Sequence, residues 1–234
     1  MLSIKILLLL SFSYLIVAQT QALGQLTQSS GQSSEQGASA LDALLLAAQE
    51  QHKPLGIEYV GQDIIGPHHR FNPHEKLSIL AEQIRDAFPG YNFVEEKGAL
   101  LLTNDKFRQQ HTLLDTVIPR FELKRRATLQ EAGKLLEMDL ELQLNPQITG
   151  FAGSYPAGDL ERKVEPFSIQ GATVREILNL LVRSAQAAWV VTGDVSKTSV
   201  VPKRSPWLIL EYENPPRDYR SVVQAALSGL GSNN

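Results

Sequence analysis

The run ATVREILNLLVRSAQAAWVVTG, Ala172–Gly193, reads as a capped helix that turns directly into a strand. Thr173 stands where a helix starts, and Glu176 lies three residues on, so that each can bond to the other's backbone N–H as a capping box. Val174, Ile177, Leu178, Leu181, Val182 and Ala185 then recur at helical spacing and make one apolar face. The pattern predicts a helix end near Ala187. Trp189, Val190, Val191 and Thr192 follow as an aromatic and β-branched run closed by Gly193, which is the composition of a buried strand.

The same design recurs along the chain. ATLQEAGKLL from Ala127 repeats the Ala, the Thr, the Glu and both leucines of ATVREILNLL, and DLELQL after it alternates Leu140, Leu142 and Leu144 with polar residues as a half-buried strand does. From Ser39, with Asp42 three residues later, Leu41, Leu44, Leu45 and Ala48 share one face. A fourth copy is expected from Asn72, with Pro73 at the first helical position, Glu75 in the first turn and the stripe Leu77, Leu80, Ala81, Ile84, Phe88. YNFVEEKGALLLT behind it reads as two strands around a Glu96-Lys97-Gly98 turn. Four helix-then-strand halves fall into two pairs, which is the signature of a repeated supersecondary unit.

The expected fold class is therefore α+β, with two tandem small modules, each of two helices packed on a small mixed or antiparallel sheet. Module one is placed at 39–104, a connector at 105–113, module two at 114–213, and a tail with a short helix at 214–234. Within module one, Ile64 and Ile65 before Gly66-Pro67 read as a short strand. Module two opens on an edge-type strand, Val117 to Leu123, in which Pro119 cannot donate a ladder bond. A long Gly, Pro and Ser loop covers 150–163, and further strands are expected at Thr198–Val201 and from Trp207 to Tyr212. A module of about 65 residues without staples is marginal alone, so the modules pack on each other or assemble with a partner.

Lys5 followed by the apolar run Ile6–Leu10 and on to Ala18, with small residues up to Ala22, has the composition of a secretory signal peptide over 1–22. The competing reading, an uncleaved anchor, is disfavoured because the flank beyond is not positively charged. Residues 23–38 are a Gln/Ser/Gly-rich linker, too polar to fold by burial. Nothing later reaches the roughly 18 apolar residues of a membrane span. The 234 residues carry a formal net charge of -3 and no cysteine. That excludes disulfides and thiolate chemistry and argues against a nucleic-acid partner, which calls for a concentrated basic face.

Ser39 to Asp42 with Ile64 to Gly66, then Thr128 to Glu131, Gln147-Ile148-Thr149-Gly150, and Gly171 to Glu176 with Trp189 to Thr192, carry a resemblance to the secretin and TonB short N-terminal domain and the related N-domains of secretins. The resemblance covers most of the chain after the signal and rests on hydrophobic patterning. It implies a periplasmic docking or ring-forming element of an outer-membrane machine, and not an enzyme. No secretin core or transporter barrel follows module two in this sequence, so the expectation is a free-standing interaction module.

Candidate chemistry is sparse. His68, His69 and His74 with Glu75 lack the i, i+4 spacing that aims two imidazoles at one metal, and read as a solvated loop. Lys124, Arg125 and Arg126 beside Arg120 are a short basic run at a strand end, and Glu95-Glu96 sits beside a turn. No metal site and no cofactor are expected. The candidate interaction surface comprises Phe151 and Tyr155 in the long loop and Trp207, Ile209 and Tyr212 in the last strand, whose edge would recruit another strand if left unpaired. The expected function is binding to an envelope protein, with self-assembly into a homo-oligomer as a further outcome. The alternative is a secreted hydrolase or glycan-binding enzyme with its site under the 150–163 loop.

Overall fold

The computed structural model describes residues 37–58, 61–66, 69–110, 112–144, 162–192, 207–212 and 218–228. In chain order these form α1 (Ala40–Glu50), β1 (Leu55–Ile57), α2 (Gln62–Ile65), α3 (Leu77–Ala87), β2 (Tyr91–Glu96), β3 (Ala99–Asn104) and α4 (Asp105–Arg108). A 3-10 turn (Leu113–Asp115), β4 (Val117–Leu123), β5 (Ala127–Thr128), α5 (Leu129–Leu144), β6 (Lys163–Val164) and β7 (Phe167–Thr173) follow. The chain continues with α6 (Val174–Ala185), β8 (Ala187–Val191), β9 (Trp207–Glu211) and α7 (Tyr219–Ser228).

Both capping boxes form. The Thr173 hydroxyl accepts from the Glu176 N–H at 3.2 Å while the Glu176 carboxylate accepts from the Thr173 N–H at 2.9 Å, and Thr128 and Glu131 repeat the exchange at 3.1 and 2.8 Å. Those backbone donors are the main reason that Glu131 and Glu176 are held below the ordinary carboxylate pKa of 4.5. A depressed folded pKa means that the charged form stabilises above the ordinary value and that this contribution is lost as pH falls through the folded value. Thermal melts from pH 7 to pH 3 are expected to show stability declining below about pH 4.5, and Glu131→Gln/Glu176→Gln, which removes the titrating groups, is expected to flatten that decline.

Helix α6 stops at Ala185, two residues before the expected end, because Gln186 adopts a left-handed φ of 50°. At the β2–β3 hairpin, φ is positive at Lys97 (52°) and Gly98 (79°), which is the turn whose twist matches the strands it joins.

Three local expectations are corrected. DLELQL continues α5 as helix: Leu129, Ala132, Leu136 and Leu140 bury one stripe, while Leu142 and Leu144 face solvent. Glu, Leu, Gln and Met all propagate a helix cheaply once it is nucleated. Ile64 and Ile65 lie in α2 and are buried there, so their hydrophobicity marks the core and not a strand. Helix α3 begins at Leu77, not after Asn72. Asn72 instead accepts from the His74 N–H in a turn, and Gln51 caps α3 from outside by accepting from the Leu77 N–H at 3.1 Å.

The α+β class holds, but the sheet is shared where two were expected. Its order is β2-β3-β1-β8-β9, with β1 parallel to both β3 and β8 and the outer strands antiparallel. First-half strands β1 to β3 and second-half strands β8 and β9 thus form one layer inside the compact unit Ala38–Asn234. The boundary near 104–114 divides the chain and not the core. On one face, α1, α3 and the tail helix α7 cover Leu55, Ile57, Leu102, Ala188, Val190, Leu208 and Leu210. On the other, α5 and α6 cover Leu101, Ala187, Trp189, Val191 and Ile209. Alternate residues of β8 and β9 serve opposite cores, as the period of two requires.

Gly56, at the centre of β1, lies between Leu101 and Trp189 in the pairing, and the Trp189 ring occupies the space a side chain would need. The Trp189 Nε1–H donates to Asn179 of α6 at 2.9 Å. Arg162 clasps three elements at once. Its guanidinium donates to the Ala185 and Gln186 carbonyls at the end of α6 and to the Tyr212 carbonyl beyond β9, and its own carbonyl accepts from Leu129 at the start of α5.

Candidate functional site

Strand β4 pairs antiparallel with β7 as a two-stranded ribbon, from Val117↔Thr173 to Leu123↔Phe167. Its inner residues Ile118, Phe121, Leu123 and Ala172 join the core of α5 and α6. Inward positions change phase between Ile118 and Phe121, where Pro119 stands opposite Gly171 and Gly171 takes a φ of 61°. A residue with a side chain adopts that conformation only under strain. Past Leu123 the ladder resumes as β5–β6 at Ala127↔Val164, with three residues on one side against two on the other, so a one-residue bulge bends the ribbon there. The basic run Lys124-Arg125-Arg126 occupies this bulge, exposed, with Arg126 bonded to Glu165 at 2.9 Å and Arg125 3.8 Å from Glu131.

Because the ribbon has two strands, each has an outer edge with no strand beside it among the described residues. The two edges differ in chemistry. β4 carries Pro119 and the Arg120–Glu122 ion pair at 3.0 Å, the features by which proteins guard an edge against another strand. β7, Phe-Ser-Ile-Gln-Gly-Ala-Thr, has neither charge nor proline, and Ser168, Gln170 and Gly171 are exposed along it.

The expected interaction surface is placed differently. Trp207, Ile209 and Tyr212 are interior, at 0%, 7% and 5% exposure, so their side chains offer nothing to a partner. The apolar run is continuous because β9 lies between two helical layers and buries both faces. The Tyr212 hydroxyl donates to the Lys53 carbonyl at 2.7 Å, and burial pushes its phenol well above the ordinary range. β9 is an end strand of the five-stranded sheet. Phe151, Tyr155 and the rest of the 150–161 loop, the expected strand at Thr198–Val201, and the signal and most of the linker lie outside the described residues.

A buried charge cluster, not anticipated from the sequence, sits where the two halves meet. Glu58, just after β1, has a fully buried side chain. It accepts from the Nε–H of Arg175 in α6 and, in a two-pronged contact, from Arg108 Nε and Nη2 at 3.1 and 2.9 Å. Arg175 also donates to Asp115 at 2.6 Å, and Asp115 accepts from the Thr112 N–H at 2.8 Å. Burial pulls the Asp115 pKa up, but the Arg175 hydrogen bond and charge and the Thr112 donors outweigh it and hold the carboxyl below its ordinary value. Burial likewise disfavours the Arg175 cation, and Glu58 and Asp115 more than restore it. Arg175 bonds both carboxylates and Arg108 bonds Glu58 as well, so the cluster ties residues 58, 108, 115 and 175 together. Two oddities mark it in the sequence: Glu58 is a lone carboxylate inside the apolar run Leu55–Val60, and Arg175 is a cation in a first helical turn, where the dipole favours acids.

The remaining candidates go to separate partners. His69 sets its ring edge-on to Phe88 at a 5.0 Å centroid distance, His74 bonds Glu50 at 2.7 Å, and His68 lies outside the described residues. Glu96 lies 3.7 Å from Arg108 at the rim of the charge cluster, and Glu95 is exposed. Among the described residues no helix is long and apolar enough to cross a membrane. No family model matches the chain, and no curated protein or solved structure matches it.

Proposed function

We propose that this chain is a non-enzymatic docking module, exported to the periplasm or secreted, that binds a protein of an envelope assembly by accepting an extended segment along β7. The observation that carries the reading is the uncharged, proline-free outer edge of β7 beside a guarded β4. An added strand takes its affinity from main-chain hydrogen bonds to such an edge and its selectivity from alternate side chains. The signal-like composition of 1–22 and the resemblance to secretin and TonB short N-terminal domains support the envelope setting. The clamped carboxylates of Glu58 and Asp115 support a binding role over catalysis.

The test is a photo-crosslinker placed at Gln170 in the native envelope. The expected result is a discrete adduct with an envelope protein that disappears when Ser168→Lys is added to the crosslinker-bearing chain, since a lysine blunts an edge without disturbing the buried face. An adduct that survives the lysine at position 168, or no adduct from any exported chain with an unchanged melting temperature, overturns the reading.

A further inference from the structure

The outer edge of β7 is bounded at both ends. Pro166 precedes it and offers no N–H, and at the far end the Thr173 N–H is taken by the Glu176 carboxylate at 2.9 Å. An added strand therefore has Phe167–Ala172 to pair with. Along this stretch Phe167 and Ile169 are half-buried against the core, Phe167 with its ring centre 5.6 Å from that of Phe121, while Ser168 and Gln170 are exposed and neutral.

The two ends differ in charge. Beyond Phe167 the same edge continues into β6, where Lys163 is exposed, and across the ribbon the bulge holds Lys124, Arg125 and Arg126. Carboxylates are fewer there. Arg126 is taken by Glu165 at 2.9 Å, and Glu131, 3.8 Å from Arg125, also feels the Lys163 charge. Lys124 has no ion-pair partner among the described residues. Arg162 is turned inward onto the Ala185, Gln186 and Tyr212 carbonyls, and Arg120 is matched by Glu122. The Phe167 end thus carries an excess of positive charge. At the Thr173 end the charges are matched, Glu176 with Lys97 at 3.4 Å and Asp115 with Arg175 at 2.6 Å.

We infer that the segment docked along β7 is acidic, its carboxylates lying past the Phe167 end against Lys163 and the bulge, and its strand portion apolar at the alternate positions beside Phe167 and Ile169. The inference rests on β7 docking and adds the partner's chemistry to it. Cross-strand neighbours on one face touch, so apolar side chains beside Phe167 and Ile169 extend the rim of the core, and those beside Ser168 and Gln170 meet water. Charge complementarity confined to one end fixes register and direction more than it adds affinity. A segment lying the other way brings its carboxylates to the Thr173 end, where the cations already hold Glu176 and Asp115.

The test starts from the adduct formed by a photo-crosslinker at Gln170 in the native envelope. Mass spectrometry is expected to map it to a segment with Asp or Glu clustered on one side of an alternating apolar stretch. That segment, made as a synthetic peptide, is expected to bind purified Lys163→Glu/Lys124→Glu about tenfold more weakly than the unaltered chain. Lys163→Gln/Lys124→Gln gives a smaller loss, and Arg85→Glu, on α3 in the opposite helical layer, gives none. All these positions are exposed, and an unchanged melting temperature checks the fold. A mapped segment without clustered acids, or one indifferent to the reversed lysines, overturns this inference and leaves β7 docking standing. No adduct, or one that survives Ser168→Lys, overturns both. Flotation of the chain with phosphatidylglycerol–phosphatidylcholine vesicles that is lost in Lys163→Glu/Lys124→Glu assigns the cations to a lipid surface and overturns this inference alone.

Discussion

Replacing Glu58 by Gln is expected to lower the unfolding free energy by about 3 kcal/mol, the lower end of the cost of removing one partner from a buried pair, because Arg175 keeps Asp115. The substitution keeps the shape of the side chain and removes only the charge that Arg175 and Arg108 both face. Arg108 is about one-third exposed and can turn to water, but Arg175, at 10% exposure, cannot. Urea unfolding measures the loss as a lower midpoint at constant slope. Adding Arg175→Met removes the buried cation that has lost one of its two carboxylates and leaves the part-exposed Asp115 to water and the Thr112 donors, and the double variant is expected to be more stable than Glu58→Gln alone, because buried pairs are often exchanged for apolar residues at little cost. A double variant no better than the single one would show that the cluster is not the tie described.

Gly56→Ala is expected to cost about 3 kcal/mol, the upper end of the usual range for overpacking by one methyl group. A Cβ at this position would lie 2.7 Å from the Trp189 ring and closer still to Leu101. The ring is rigid, fully buried and fixed to Asn179 by its hydrogen bond, so it cannot swing aside without leaving the Asn179 amide unbonded in the core. The backbone at Gly56 needs no left-handed angle, so the cost comes from space and not from conformational freedom. Trp189→Leu in the same chain opens room and is expected to make the added methyl nearly neutral, a non-additivity visible in melting temperatures.

What was legible in the sequence was whatever a few neighbouring residues determine. Thr173 with Glu176, Thr128 with Glu131, the Lys97-Gly98 turn and the apolar runs of β8 and β9 are local, and the structure realises each. Period alone misled at Leu140, Leu142 and Leu144, where alternation continues an established helix. It was silent about partners: nothing near Leu55–Ile57 says that this strand pairs with Ala188–Val190 more than a hundred residues later, and two-module bookkeeping hid it. Trp207, Ile209 and Tyr212 are buried, unseen for the same reason, since a continuous apolar run is read alike whether it faces a partner or two layers of its own helices. The β7 edge was recognisable only once β4 beside it showed what a guarded edge looks like.

The placement of β1 also sets an order of events during synthesis. Three residues made early form the middle of the sheet, and one side of that middle is completed only by Ala187–Val191, made late. Until then a nascent first half holds a bare parallel edge and an apolar face awaiting cover, the condition in which chains clump. A truncation or a stalled ribosome anywhere between Asn104 and Ala187 therefore leaves not a smaller working protein but a sticky fragment.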